Sequence, residues 1–159
     1  MVLWRISRHR DLNGLGGLRA PGLWHERGLP VVYLVETPAG ALLEVCLHTS
    51  ANIPPNYTFL EITVAKTTGV ESLDLSSLSH DWSLDLQETR TIGSEWLRSM
   101  RSALLRVPSS IVPATYNVLL NPRPEESKSI LVASVIEYPF DIRLKTVITC
   151  PSIYPEPPR

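Results

Sequence analysis

Fourteen prolines and eight glycines are scattered through 159 residues. Proline ends helices and withdraws a backbone donor, and glycine loosens helix and strand alike, so this chain is cut into short elements. A helical bundle is not expected, and no internal repeat of useful length is visible.

Hydrophobic residues make up 43% of the chain and the mean hydropathy is +0.03, which fits one soluble globular domain. At this length roughly two-thirds of the unfolded surface can be buried, so neither disulfides nor a structural metal is needed. Fifteen Lys and Arg against sixteen Asp and Glu leave a net charge of −1, which provides no basic field to gather a polyanion. Direct nucleic-acid binding is therefore not expected. Val31–Val35 is the longest apolar run, far below the ~18 residues of a membrane span. Met1-Val2-Leu3-Trp4-Arg5 has no secretory pattern. Cys46 and Cys150 make neither metal-ligand spacing nor a disulfide framework, as in a reducing compartment. The expected location is the cytoplasm, with no membrane association.

Strand character is clearest at Val2–Ile6 and at Val31–Val35, the latter β-branched and aromatic. Asn13–Trp24, rich in glycine and without a period, reads as a loop. Thr37 and Pro38 form an N-cap and first helical position, and Ala39, Leu42, Leu43, Cys46 and Leu47 then recur as a helical stripe predicted to face the core. Glu44 falls on the flank, in line with Gly40 and His48. After Pro54-Pro55, Tyr57–Val64 alternates as a strand, whereas residues 66–90 suggest only one short strand or turn. Thr91 is read as the cap of a second helix bearing Ile92, Trp96, Leu97 and Met100 on one face. Ala103–Val107, Asn117–Leu120 and Ile130–Ile136 read as further strands, the last two joined through Asn121-Pro122-Arg123-Pro124. From Cys150 the proline-rich tail is expected to be extended or disordered. The pattern is α+β.

No nucleophile elbow, phosphate loop or zinc-protease motif is present. Gly14, Gly16 and Gly17 precede a strand instead of opening a helix, so they are no dinucleotide fingerprint. His9, His25, His48 and His80 are scattered, and no metal site is expected.

Seven ordered blocks carry a more specific signal: Leu3-Trp4-Arg5-Ile6, Gly16-Gly17-Leu18-Arg19, Trp24-His25, Gly28-Leu29-Pro30-Val31-Val32-Tyr33, Leu42-Leu43-Glu44-Val45, Arg101 through Ser109, and Asn117 through Pro122. Together they resemble the RES domain, a family named for an arginine, a glutamate and a serine. The resemblance spans residues 2–144 and leaves 145–159 as a Pro-rich C-terminal tail. It implies a single domain with an ADP-ribosyltransferase-like mixed sheet and a few inserted helices. It also implies the toxin of a bacterial toxin–antitoxin pair, which depletes NAD+ as substrate by cleaving the nicotinamide–ribose bond, through hydrolysis or phosphorolysis, without any other cofactor. Some members of the family instead transfer ADP-ribose to a protein. The implied partner is an Xre-like helix-turn-helix antitoxin, so any DNA association is indirect, and the toxin is expected as a homodimer or in a higher toxin–antitoxin assembly.

Carried over by position, the catalytic residues are Arg5, Tyr33, Glu44 and Ser109, and the NAD+-binding residues are Arg5, Arg19, Trp24, Tyr33 and Ser109. The chemistry suits them. Breaking the nicotinamide–ribose bond builds positive charge on the ribose, which a fixed carboxylate such as Glu44 stabilises. Tyr33 can stack on the nicotinamide with its hydroxyl at the pocket rim. Arg5 and Arg19 can hold a pyrophosphate, and Ser109 can bond a ribose hydroxyl or the nicotinamide amide. Blander readings stand beside these: a solvated helix glutamate, a cross-strand tyrosine, a loop arginine, a turn serine with Ser102 and Ser110 close by, and Trp24 and Trp96 as buried anchors. Where members of the family usually carry Gly-Arg-Trp, this chain has Gly22-Leu23-Trp24. The departure leaves three possibilities: reduced activity, a pocket rebuilt around Arg5 and Arg19, or a disabled domain that mainly binds its antitoxin.

Overall fold

A computed structural model describes residues 1–48, 56–141, 143 and 144. Strands β1 (Val2–Ile6), β2 (Val32–Val35), β3 (Asn56–Thr63), β4 (Val70–Ser72), β5 (Leu104–Pro108), β6 (Tyr116–Leu120) and β7 (Leu131–Pro139) form one seven-stranded sheet in the order β4-β5-β6-β2-β1-β3-β7. All neighbours are antiparallel except β4 and β5, which makes the sheet mixed. Helices α1 (Leu15–Arg19), α2 (Pro38–His48) and α3 (Leu86–Ser99) interrupt the strands. This is the α+β, single-domain, mixed-sheet architecture that the sequence implied. The Pro54-Pro55 break, Cys150 and the tail 145–159 lie outside the described residues.

Strand alternation gives the sheet two unlike faces. Leu3, Val32, Leu34, Leu60, Ile62, Leu104, Val118 and Leu120 meet on one, with Val64, Ala103 and Ile130 beside them. All these residues come from strands and their connections, so among the described residues this closed, aliphatic face is built without a helix. On the other face Leu105, Val107 and Leu119 pack against Trp24, and against Trp96 and Leu97 of α3. Helix α2 lies on that second face as well, since Gly40 approaches the Val35 side chain.

Three sequence expectations change. The stretch 13–24 is not all loop: Gly14 takes φ +71° and Asn13 Oδ1 accepts from Leu15 N–H at 3.1 Å, starting the short α1. Its buried Gly17 lies against Leu29 O, where an added Cβ would sit 2.2 Å away, so no side chain fits. In α2, Thr37 Oγ1 does cap Gly40 N–H at 3.0 Å, yet the predicted stripe is not the buried one. Ala41 and Cys46 are buried, Ala39 is exposed, and Leu43 and Leu47 remain 37% and 52% exposed. The helix buries only a narrow line of side chains and leaves Leu43 and Leu47 exposed. Finally, α3 begins six residues earlier than Thr91 would place it. Asp85 Oδ1 accepts from Gln87 and Glu88 N–H, both at 3.0 Å, and a carboxylate that serves two orphan donors at the positive helix end defines the start. Thr91 lies inside the helix, and Met100, at φ 51°, ends it and faces outward.

Candidate active site

On the second face a cleft of about 650 Å³ opens between α2 and the start of α3. Trp4, Tyr33, Val35 and Asn117 contribute from the strands, Ala41, Glu44, Val45 and Leu47 from α2, and Leu86 from α3. The register explains the floor: Trp4 pairs with Val35 and Val35 with Asn117, and partners across an antiparallel pair point to the same face.

Glu44 is half-buried in this cleft, and Asn117 Nδ2 donates to its Oε1 at 2.8 Å. A carboxylate oxygen that accepts from a side-chain amide has its direction fixed. Among the described residues that line the cleft, Glu44 is the one acid and Arg5 the one base. Alternation sets Arg5 with Leu3 on the opposite face of β1 from Trp4. Burial lowers the pKa of its guanidinium, opposed by the charge of Asp11.

Tyr33 lines the cleft, but its hydroxyl is turned inward, away from the rim where it was expected. It accepts from Trp24 N–H at 3.0 Å and lies 2.8 Å from His25 Nδ1. Burial first, and Glu44 to a lesser degree, hold the phenol protonated far above its ordinary range. Trp24 borders the cleft but has 0% exposure. Its ring packs against Trp82 at 5.5 Å, and its Nε1 has no hydrogen-bond partner among the described residues. Trp96, the other expected anchor, is equally buried and donates to Ser102 Oγ at 2.8 Å.

Two predicted residues stand apart from the cleft. Arg19, exposed in the last turn of α1, does not line it. Ser109 borders an adjoining cavity of about 300 Å³ that shares Glu44 and Asn117. Its Oγ accepts from Ile111 and Val112 N–H at 3.1 and 3.3 Å, while the neighbouring Ser110 lines the main cleft. Leu23 is half-buried on the wall, with its isobutyl group packed toward the aromatic core. No group of three or more His, Cys, Asp or Glu side chains among the described residues could hold a metal ion, and no helix there is long and apolar enough to cross a membrane.

Sequence reasoning missed Asn117 and His25. Asn117 carried a signal, a polar residue at an inward position of an otherwise apolar strand. His25 stood in the Trp24-His25 block, but nothing in the sequence gave it a role, because its partners Ala20, Gly22 and Tyr33 meet only through the folded loop.

A single mixed-sheet domain with a carboxylate and a tyrosine at one cleft, bordered by an arginine-bearing strand, is the class of protein that this geometry defines. The family model for the RES domain matches residues 2–141, and the chain belongs to that family. It is 41% identical to "Toxin Res" of Pseudomonas putida, over 91% of this chain and 99% of the relative. With the "Prs ADP-ribosylating toxin" of Sphingobium it shares 34% identity, over 89% and 94%. Its fold is similar to a chain of the Mycobacterium tuberculosis MbcT–MbcA toxin–antitoxin complex, with a TM-score of 0.71, 18% identity, and coverage of 87% and 84%. The chain is thus of the toxin type that these relatives represent.

Proposed function

We propose that this RES toxin degrades NAD+ by cleaving the nicotinamide–ribose bond, with Glu44 as the catalytic carboxylate. The observation that carries the reading is the Asn117–Glu44 pair beside Tyr33 in a cleft large enough for part of a dinucleotide. In the reaction the C1′–N bond breaks and its electron pair goes to the nicotinamide nitrogen. The pyridinium leaves as a neutral ring and needs no proton, which accords with a cleft whose one phenol is held protonated. Glu44 stabilises the charge that builds on the ribose. Water or phosphate then bonds to C1′, and its proton is released to solvent. Arg5, which borders the cleft from β1 with its side chain set on the face of Leu3, is the candidate positive charge for the pyrophosphate and has a weaker claim than Glu44. Arg19 and Ser109 have weaker claims, since neither lines the main cleft.

The test is NAD+ loss and nicotinamide release by purified chain free of antitoxin. Glu44→Gln is expected to lower kcat by about 10²- to 10³-fold with the melting temperature nearly unchanged. An unchanged rate would remove Glu44 from the mechanism.

Likeness to an ADP-ribosylating toxin favours a second outcome, ADP-ribose transfer to a protein, which would appear as a labelled protein band from labelled NAD+. Leu23 favours a third. With Arg19 off the cleft, nothing among the described lining residues replaces the missing guanidinium except Arg5. Leu23→Arg is therefore expected to lower KM for NAD+ by about tenfold, as one charge-assisted contact would. Turnover only in Leu23→Arg would mark a disabled toxin whose remaining role is to bind its antitoxin. Likeness to the MbcT–MbcA complex supports an antitoxin partner; that this partner is Xre-like, that the toxin forms a homodimer or higher assembly, and that it acts in the cytoplasm are proposed from the RES resemblance alone.

A further inference from the structure

His25 is only 3% exposed, and both of its ring nitrogens are engaged. Nε2 lies 3.1 Å from Ala20 O. A carbonyl can only accept, so Nε2 carries the hydrogen. Burial first, helped by Arg90, lowers the pKa of the ring and keeps it neutral, so Nδ1 is bare. Gly22 N–H is shared between Nδ1 and the His25 carbonyl oxygen, 3.1 Å from each, so the one lone pair of Nδ1 is left chiefly to the Tyr33 hydroxyl, which donates to it from 2.8 Å. That hydroxyl already accepts from Trp24 N–H. Its proton is thereby committed to His25, and Tyr33 offers a ligand its ring and no acidic hydrogen. The fit is close: a Cβ on Gly22 would fall 2.5 Å from the Tyr33 hydroxyl and 2.8 Å from His25 Nδ1. From the other side α3 holds the same loop, with Arg90 Nε donating to Gly22 O at 2.9 Å and Ser94 Oγ accepting from Glu26 N–H at 2.9 Å.

We propose that His25 is a positioning residue. It couples the ring of Tyr33 on β2 to the Gly22–Trp24 wall, so that the two surfaces that flank the substrate ring keep one geometry. The kinetic part rests on the NAD+ reading above, and the structural part does not.

Histidine-labelled nitrogen NMR reads the arrangement directly. The expected result is a neutral His25 with Nε2 protonated, whose Nδ1 resonance moves in Tyr33→Phe; a protonated Nδ1 overturns the proposal. In turnover, His25→Ala is expected to cost about tenfold in kcat with a smaller change in KM, the size of one lost hydrogen bond. His25→Asn, which returns an acceptor near Nδ1, recovers most of that loss. In the Tyr33→Phe background His25→Ala should then add little, because the two act as one unit. If the two losses multiply and His25→Asn is no better than His25→Ala, the role is merely structural and the proposal falls. If the unmodified chain does not turn NAD+ over, the NAD+ reading fails, and the NMR result alone decides the positioning role.

Discussion

The two faces of the sheet solve different problems with the same strands. The core of the closed face is aliphatic: Leu3, Leu34, Leu60, Ile62, Leu104 and Leu120 are essentially inaccessible and bring no side-chain polar atom. The helix-bearing face interleaves Tyr33, Asn117 and Trp4 with its apolar residues, and each polar atom there has needs that fix its direction. One face supplies stability through close packing, which is sensitive to volume and indifferent to orientation. The other gives up part of that packing for a cleft in which orientation decides everything. The lesson is that a single strand can serve both, since neighbouring residues such as Tyr33 and Leu34 answer to opposite faces.

The contrast breaks most visibly at Leu34→Ala. A fully buried leucine removed from the closed face is expected to destabilise the fold by about 2–5 kcal/mol, measured by denaturant unfolding, while protein that remains folded keeps its kcat. The reverse would place Leu34 functionally on the cleft side. Gly93→Ala sharpens the comparison. Alanine should favour α3 by about 1 kcal/mol, but its Cβ would meet Trp24 O at 1.8 Å. The expected net cost is about 1–3 kcal/mol, with turnover falling beyond what unfolding explains because the cleft wall shifts; a stabilised, fully active variant would contradict the close approach. The smallest effect concerns pH. The folded-state pKa of His25 is depressed, so the unfolded chain takes up a proton below its ordinary value of 6.5 where the folded one resists it. The His25 contribution to stability is complete above that pH and is lost as pH falls. Arg90 from α3 and Tyr33 from β2 are the titratable groups that face the ring, and Arg90 deepens the effect. Melting temperature between pH 7 and pH 5 should fall less in His25→Asn than in the unmodified chain.

Much of the closed face was legible because period-two alternation in β-branched and leucine-rich runs leaves few alternatives, as at Val31–Val35 and Tyr57–Val64. Helix boundaries were less so. Asp85 and Thr91 both offer a cap, and only the geometry shows which backbone donors are free to be served. The α2 stripe misled because periodicity reports amphipathicity and says nothing of a cleft: Leu47 lines open space that the sequence had no means to announce.

By itself the sequence determined the α+β class, six of the sheet's seven strands, the family, and the residues Arg5, Tyr33 and Glu44 as candidates. These follow from local periodicity and from ordered motifs, both properties of the chain. Only the tertiary structure decided that Asn117 holds Glu44, that Arg19 lies off the cleft, that Ser109 belongs to a neighbouring cavity, and that the hydroxyl of Tyr33 faces His25. Each depends on groups from separate elements meeting at hydrogen-bonding distance, and the antiparallel register of β2 with β6 and the packing of α2 and α3 on one face bring them there.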